Sequence, residues 1–256
     1  MIKDKVISVK NASVQQFFRP VIDTILPPQS LLTGDVSVTG IEGELWQALR
    51  FLDEPCCYLC GYPFDYDVGE GALCGGCSVK PAKYRFMRSA FVYDENSRRL
   101  VLDFKHGGRT TALPMFVAQM ARAGRKFLPK ADFIVPVPLH YRRRVKRRFN
   151  QSALLARQLA KQCGARFDPD ILYRHKATAV QGGLSAVKRR ANVKGAFRVR
   201  ESAKDRIKGA HIVLIDDVLT TGATLQACAQ TLLREQAQYV DGLSLARVVR
   251  PVPLPK

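Results

Sequence analysis

The chain has 256 residues, 46% of them apolar, which is enough for one full α/β domain and a small accessory module and too apolar for a disordered chain. No apolar run approaches eighteen residues and the N-terminus lacks a signal-peptide core, so neither a membrane span nor export is expected, and a cytoplasmic location follows. The net charge of +19 is unevenly spread: Lys and Arg are outnumbered 7 to 10 by Asp and Glu in residues 1–83, but outnumber them 34 to 12 in residues 84–256. The basic part is suited to a polyanion, either nucleic acid or a phosphate-rich small molecule.

Taken in order, residues 11–26 read as a short helix interrupted by Pro20, and residues 44–52 as another. Residues 54–80 carry cysteines among Gly, Pro and Asp and read as loops and short strands. Residues 84–93 alternate like a strand, while Leu100 to Phe104 and 111–127 read as helices. From residue 132 the rhythm changes. FIVPVP is a buried strand, NQSALLARQLAKQC is an amphipathic helix capped by Asn150, and HIVLI is a second buried strand followed by a helix over 224–234. Short strands are expected at Ile171 to Tyr173 and Ala196 to Val199, and a last one at 239–249. Strands alternating with helices imply a parallel sheet with crossover connections.

Cys57-x2-Cys60, thirteen residues, then Cys74-x2-Cys77 has the spacing of a closed structural Zn²⁺ ribbon. Each pair offers two thiolates on one tight knuckle, and two knuckles complete a tetrahedron; Cys56 reads as a bystander. A faint upstream copy, Pro28 to Gly34, matches Pro55 to Gly61, with Ser30 and Thr33 where Cys57 and Cys60 stand. Glu42 and Leu45 have the spacing of Cys74 and Cys77, so this copy has lost its ligands. Cys163 and Cys228 lie on apolar helix faces as core residues, and His211 simply begins a strand.

The strongest constellation is Val213 to Thr224: an apolar strand, then Asp216 and Asp217, then Thr220-Thr221-Gly222-Ala223-Thr224 at the start of a helix. Open α/β sheets bind ligands at the carboxyl ends of their strands, and a helix N-terminus with free amides receives anions. Gly222 lets the backbone come close to a phosphate, and carboxylates accept hydrogen bonds from ribose hydroxyls. The turn holds no Lys, so it is not a P-loop.

This segment resembles the phosphoribosyl pyrophosphate (PRPP) signature of type I phosphoribosyltransferases. The resemblance implies that Asp216 and Asp217 hold the ribose, that Thr220, Thr221, Gly222, Ala223 and Thr224 wrap the 5-phosphate, and that Mg²⁺ arrives with PRPP. Val135 to His140, Phe149-Asn150-Gln151-Ser152, Arg174 to Leu184, Arg189 to Val193, Gly195-Ala196-Phe197 and Phe104 to Gly108 together resemble the ComF family of competence-related proteins. That resemblance implies a type I phosphoribosyltransferase-like parallel sheet flanked by helices, with a small N-terminal zinc-ribbon module. It implies a pyrophosphate loop carrying Arg142, Arg144 and Arg147, and a hood over the site carrying Lys176, Arg189 and Arg190. Arg148 stands where the family usually has Gly, and the second cysteine set that many members carry upstream is replaced here by Ser30, Thr33, Glu42 and Leu45.

The expected organisation is a helical segment with the degenerate copy over 1–53, the four-cysteine zinc ribbon over 54–83, and the phosphoribosyltransferase-like domain over 84–250. Residues 142–148 hold six cations in seven positions, flanked by Tyr141 and Phe149. They read equally as a track for single-stranded DNA or as a solvated basic face. Three functions remain open at this point: transfer of phosphoribosyl from PRPP to an acceptor, handling of single-stranded DNA in competence or DNA use with PRPP as a regulator, and docking of competence or DNA-processing proteins through the ribbon.

Overall fold

The computed structural model describes residues 43–106, 111–138, 150–176, 191 and 193–249. The helix expected over 11–26, the degenerate copy at 28–34, the basic run 142–148, and Arg189 and Arg190 lie outside the described residues.

Five strands form one parallel sheet: β1 (Met87–Val92), β2 (Phe133–Pro136), β3 (Arg166–Phe167), β6 (His211–Leu219) and β7 (Tyr239–Arg247), in the order β1-β7-β6-β2-β3. A separate antiparallel ribbon joins β4 (Leu172–Arg174) to β5 (Phe197–Val199). The helices are α1 (Gly43–Ala48), α2 (Gly75–Val79), α3 (Glu95–His106), α4 (Leu113–Ala123), α5 (Gln151–Cys163), α6 (Lys204–Ile207) and α7 (Ala223–Arg234).

The central strands are apolar on both faces because helices cover both. Ile212 and Leu214 of β6 pack on the side of α7, against Leu225, Cys228 and Leu232. Val213 and Ile215 point the other way, into Leu100 and Phe104 of α3, Phe116 and Met120 of α4, and Leu155 and Leu159 of α5.

Several boundaries differ from expectation, each for a local reason. The helix α3 begins five residues before Leu100. Asp94 and Ser97 form a reciprocal cap there: Ser97 N donates to Asp94 Oδ1 at 3.0 Å, and Asp94 N donates to Ser97 Oγ at 2.9 Å. The helix expected over 111–127 stops at Ala123, where Gly124 takes over and a 3₁₀ turn follows at Leu128–Lys130. The helix expected over 44–52 ends at Ala48, and the chain beyond it turns Leu49 and Leu52 inward. Asn150 caps α5 as expected, accepting from Ser152 N at 3.1 Å, and left-handed Gly164 ends it. The short β3 and α6 carry too few residues for a periodic signal.

Candidate functional site

The strand β6 does not stop at Ile215. It pairs with β7 through Asp216↔Ser244, Val218↔Ala246 and Leu219↔Arg247, so Asp216 and Asp217 belong to the strand's carboxyl end. Consecutive strand residues face opposite sides. Asp216 therefore follows Ile212 and Leu214 toward α7; beyond it the alternation lapses, since Val218 packs with Val213 and Ile215 while Leu219 packs with Leu214. Asp216 and Asp217 are both half-buried. Asp217 N donates to Asp216 Oδ1 at 2.9 Å and Val218 N to Asp217 Oδ1 at 2.6 Å, which steadies both carboxylates.

Three residues separate this end from α7. Thr220 is exposed, Thr221 half-buried, and Gly222 adopts φ +70°, a left-handed conformation that costs glycine nothing. Ala223 N reaches Thr221 Oγ1 only at 3.5 Å, and no side chain caps the helix at Gly222. The amides of the first turn therefore face the mouth of the loop, the arrangement that suits an anion.

Among the described residues, the tertiary structure brings to this corner a cation that the sequence placed only at the start of the Arg174 to Leu184 motif, with no role of its own. Arg174, at the end of β4, stacks over Phe197 at 5.4 Å. Burial pushes the Cys228 thiol well above its ordinary range; the Asp216 carboxylate adds to that and Arg174 opposes it, so both charges lie near the same point of α7. The two ends of the expected hood are tied together: His175 N donates to Ala196 O at 3.0 Å and the His175 ring meets Gly195 O at 2.8 Å. Lys176, exposed, follows at the edge of this junction.

At the other side of the sheet edge, the Sγ atoms of Cys57, Cys60, Cys74 and Cys77 lie within 4.8 Å of one another, with Cys60 and Cys74 3.6 Å apart. Tetrahedral Zn–S bonds of about 2.3 Å set sulfurs about 3.8 Å apart, so the donor set fits zinc in both chemistry and spacing. Cys74 N donates to Cys57 Sγ at 3.3 Å, which ties the second Cys-x2-Cys pair to a sulfur of the first. The Cys60 thiol, with help from backbone amides, pulls Cys57 down to about 4. Donation to Cys57 and burial push Cys60 up, and burial pushes Cys77 up to about 12. Four thiols so close together can all ionise only around a cation.

His211 does begin a strand, as expected, but it also joins a buried ionic cluster with Arg85 and Asp241 at the amino ends of the strands, away from the phosphate-type loop. No sequence spacing joins residues 85, 211 and 241; only the adjacency of β1, β7 and β6 does.

A parallel five-stranded sheet flanked by helices, with paired acids at a central strand end running into a Thr-Thr-Gly-Ala-Thr turn, defines a phosphoribosyltransferase-type fold. The family model for the phosphoribosyl transferase domain matches residues 121–247. Curated relatives cover most of the chain. A "DNA utilization protein YhgH" of Salmonella typhi is 38% identical over 199 residues, covering 75% of this chain and 84% of the relative. A "Competence protein F" of Haemophilus influenzae is 32% identical over 200 residues, covering 75% and 85%. A "Competence protein ComFC" of Bacillus subtilis is 27% identical over 223 residues, covering 79% and 89%. The chain belongs to the ComF family, whose phosphoribosyltransferase-type domain is joined here to a cysteine cluster fit for zinc.

Among the described residues, no helix is long and apolar enough to cross a membrane.

Proposed function

We propose that this protein binds PRPP with Mg²⁺ at the carboxyl end of β6 and acts in the use or uptake of DNA. The observation that carries the reading is the continuous unit Asp216-Asp217-(x2)-Thr220-Thr221-Gly222-Ala223-Thr224, with carboxylates at the strand end and α7 starting at a left-handed glycine that supplies no side-chain cap. Asp216 and Asp217 accept hydrogen bonds from the ribose hydroxyls, and the amides and hydroxyls of Thr220 to Thr224 donate to the 5-phosphate. Arg142, Arg144 and Arg147, with Lys176, Arg189 and Arg190 of the hood, neutralise the pyrophosphate. Mg²⁺ arriving with PRPP would supply charge compensation there. If transfer to an acceptor occurs, these cations stabilise the departing pyrophosphate while the acids hold the ribose in place. Zinc at Cys57, Cys60, Cys74 and Cys77 supplies a structural cross-link.

Calorimetric titration of PRPP in excess Mg²⁺ tests the binding. A panel of bases assayed for pyrophosphate release, with and without single-stranded DNA, tests transfer.

A second reading is favoured by the charge distribution, 34 cations against 12 acids over residues 84–256, and by the DNA-related names of the relatives. In it, single-stranded DNA is bound along the basic run 142–148, and PRPP is a regulatory ligand that is not consumed.

A further inference from the structure

The zinc-type cluster and the phosphate-type loop are joined by two buried side chains. Arg247 is the last residue of β7, paired with Leu219, the residue just before Thr220; Val248 N also donates to Leu219 O at 2.8 Å. The Arg247 side chain turns away from the loop into the cysteine module. Its Nη1 donates to Cys60 O at 2.5 Å, its Nη2 lies 3.9 Å from Cys60 Sγ, and the guanidinium stacks over Tyr62 at 5.4 Å. It is only 7% exposed, and its Nε is buried with no acceptor. A buried cation so placed needs negative charge nearby, and a divalent ion held by four thiolates carries a net charge of −2.

Tyr84 makes the second link. It is 6% exposed and shares one core cluster with Cys57, Cys60 and Cys77 on one side and Leu219 and Ala223 on the other. A Cβ placed on Gly222 would lie 3.8 Å from Tyr84 Oη, so the phenol forms the floor under the glycine of the loop. Residues 219–223 thus rest on the ribbon through both partners, one by backbone pairing and one by packing.

We propose that Arg247 and Tyr84 are positioning residues that couple metal loading of the ribbon to anion binding at Thr220–Thr224. The proposal rests on the PRPP reading above. Metal at the cysteines holds Cys60, Cys60 holds Arg247, and Arg247 with Tyr84 holds the loop in its anion-binding shape. Linkage makes the effect reciprocal: bound PRPP must tighten the hold on zinc by the same factor that zinc tightens the hold on PRPP.

The test uses the intact zinc-loaded protein in excess Mg²⁺. Zinc release to a chromogenic chelator is followed with and without saturating PRPP, with inorganic phosphate as a control. PRPP should slow release about 5-fold or more, the lower end of ordinary coupling between sites. In cobalt-substituted protein, PRPP should shift the thiolate-to-metal absorption bands. Arg247→Gln, verified to keep one zinc per chain, should weaken PRPP binding about 5-fold and abolish the effect of PRPP on zinc release. Tyr84→Leu serves if Arg247→Gln does not fold. PRPP that binds the wild-type protein yet leaves both zinc release and the cobalt spectrum unchanged overturns the coupling while the PRPP reading stands. No PRPP binding by the zinc-loaded protein overturns that reading, and this proposal with it.

Discussion

His211 Nε2 and Asp241 Oδ2 meet at 2.7 Å, with Asp241 fully buried, and Arg85 Nη2 reaches the same oxygen at 2.6 Å. The other ring nitrogen of His211 faces Lys130 O at 2.8 Å, and Asp241 Oδ1 accepts from Phe86 N at 2.9 Å. The cluster ties the amino ends of β1, β6 and β7 to one another and to the turn before β2. Removing one partner of such a group leaves the rest desolvated and unpaired. Asp241→Asn should therefore destabilise the protein by about 3 kcal/mol in urea unfolding, the low end of the usual cost because Arg85 is partly exposed and can turn to water.

The same residue predicts an acid limb. Burial alone would raise the Asp241 pKa, but the hydrogen bonds from His211 and Arg85, and their charges, outweigh it and hold the carboxyl below its ordinary range. A depressed carboxylate contributes stability above its unfolded pKa of about 3.9, and loses it as pH falls through the folded value. Stability followed by urea unfolding should drop below about pH 4, and the Asp241→Asn variant should drop less steeply there. Equal acid limbs in both proteins would show that the stability loss lies with other carboxylates.

Asp216→Asn combined with Asp217→Asn should abolish the thermal stabilisation that PRPP and Mg²⁺ confer, with the far-UV circular dichroism unchanged. Both acids are half-buried at a strand end and neither fills the core, so the fold should survive. An unaltered PRPP affinity in the folded double variant would sink the site assignment.

Metal analysis should return one zinc per chain. The set at 57, 60, 74 and 77 is complete, while Ser30, Thr33 and Leu45 are poor ligands. Cys60→Ser should release the metal and destabilise the ribbon, since binding and folding are coupled there. A value close to two equivalents would mean that the degenerate copy also binds.

Gly222→Ala separates backbone strain from steric clash. The added Cβ would meet Leu219 Cδ1 at 3.7 Å and Tyr84 Oη at 3.8 Å, which is ordinary contact, so the cost comes from the left-handed conformation, about 1–2 kcal/mol. PRPP affinity should fall as well, because relief of the left-handed strain at residue 222 shifts the loop backbone that receives the phosphate. Calorimetry on the variant, set beside its thermal denaturation, gives both numbers.

If residues 142–148 bind single-stranded DNA, affinity should fall steeply with salt as counterions are released. Replacing Arg142, Arg143 and Arg144 by Ala should weaken binding to all sequences alike and flatten the salt slope, since phosphate contacts carry no base information. PRPP binding should persist on Lys146, Arg147 and Arg148. Equal loss of both ligands would mean one shared anion site at which they compete. No salt-dependent binding by the wild-type protein at low ionic strength would leave the run as a solvated face.

Much of this protein is legible along the chain because its signals are local. Unbroken apolar runs mark β2 and β6 and the helical period marks α5, the Asn150 cap needs only its own helix, and a Cys-x2-Cys knuckle or a strand running into Thr-Thr-Gly-Ala-Thr is complete within a dozen residues. Other features exist only after strands pair. The full length of β6 is set by β7, which extends the ladder past Ile215 to Leu219 and makes Asp216 and Asp217 part of the strand's carboxyl end. Arg85, His211 and Asp241 are a cluster only because β1, β7 and β6 lie side by side. Arg247 reads in sequence as one more residue of a buried strand; its contact with Cys60, 187 positions away, comes from the ribbon lying along the sheet edge. Spacing in sequence reports contacts closed by a turn or a single helix. Charges brought together across a parallel sheet leave no such spacing, because long crossovers separate the strands that carry them.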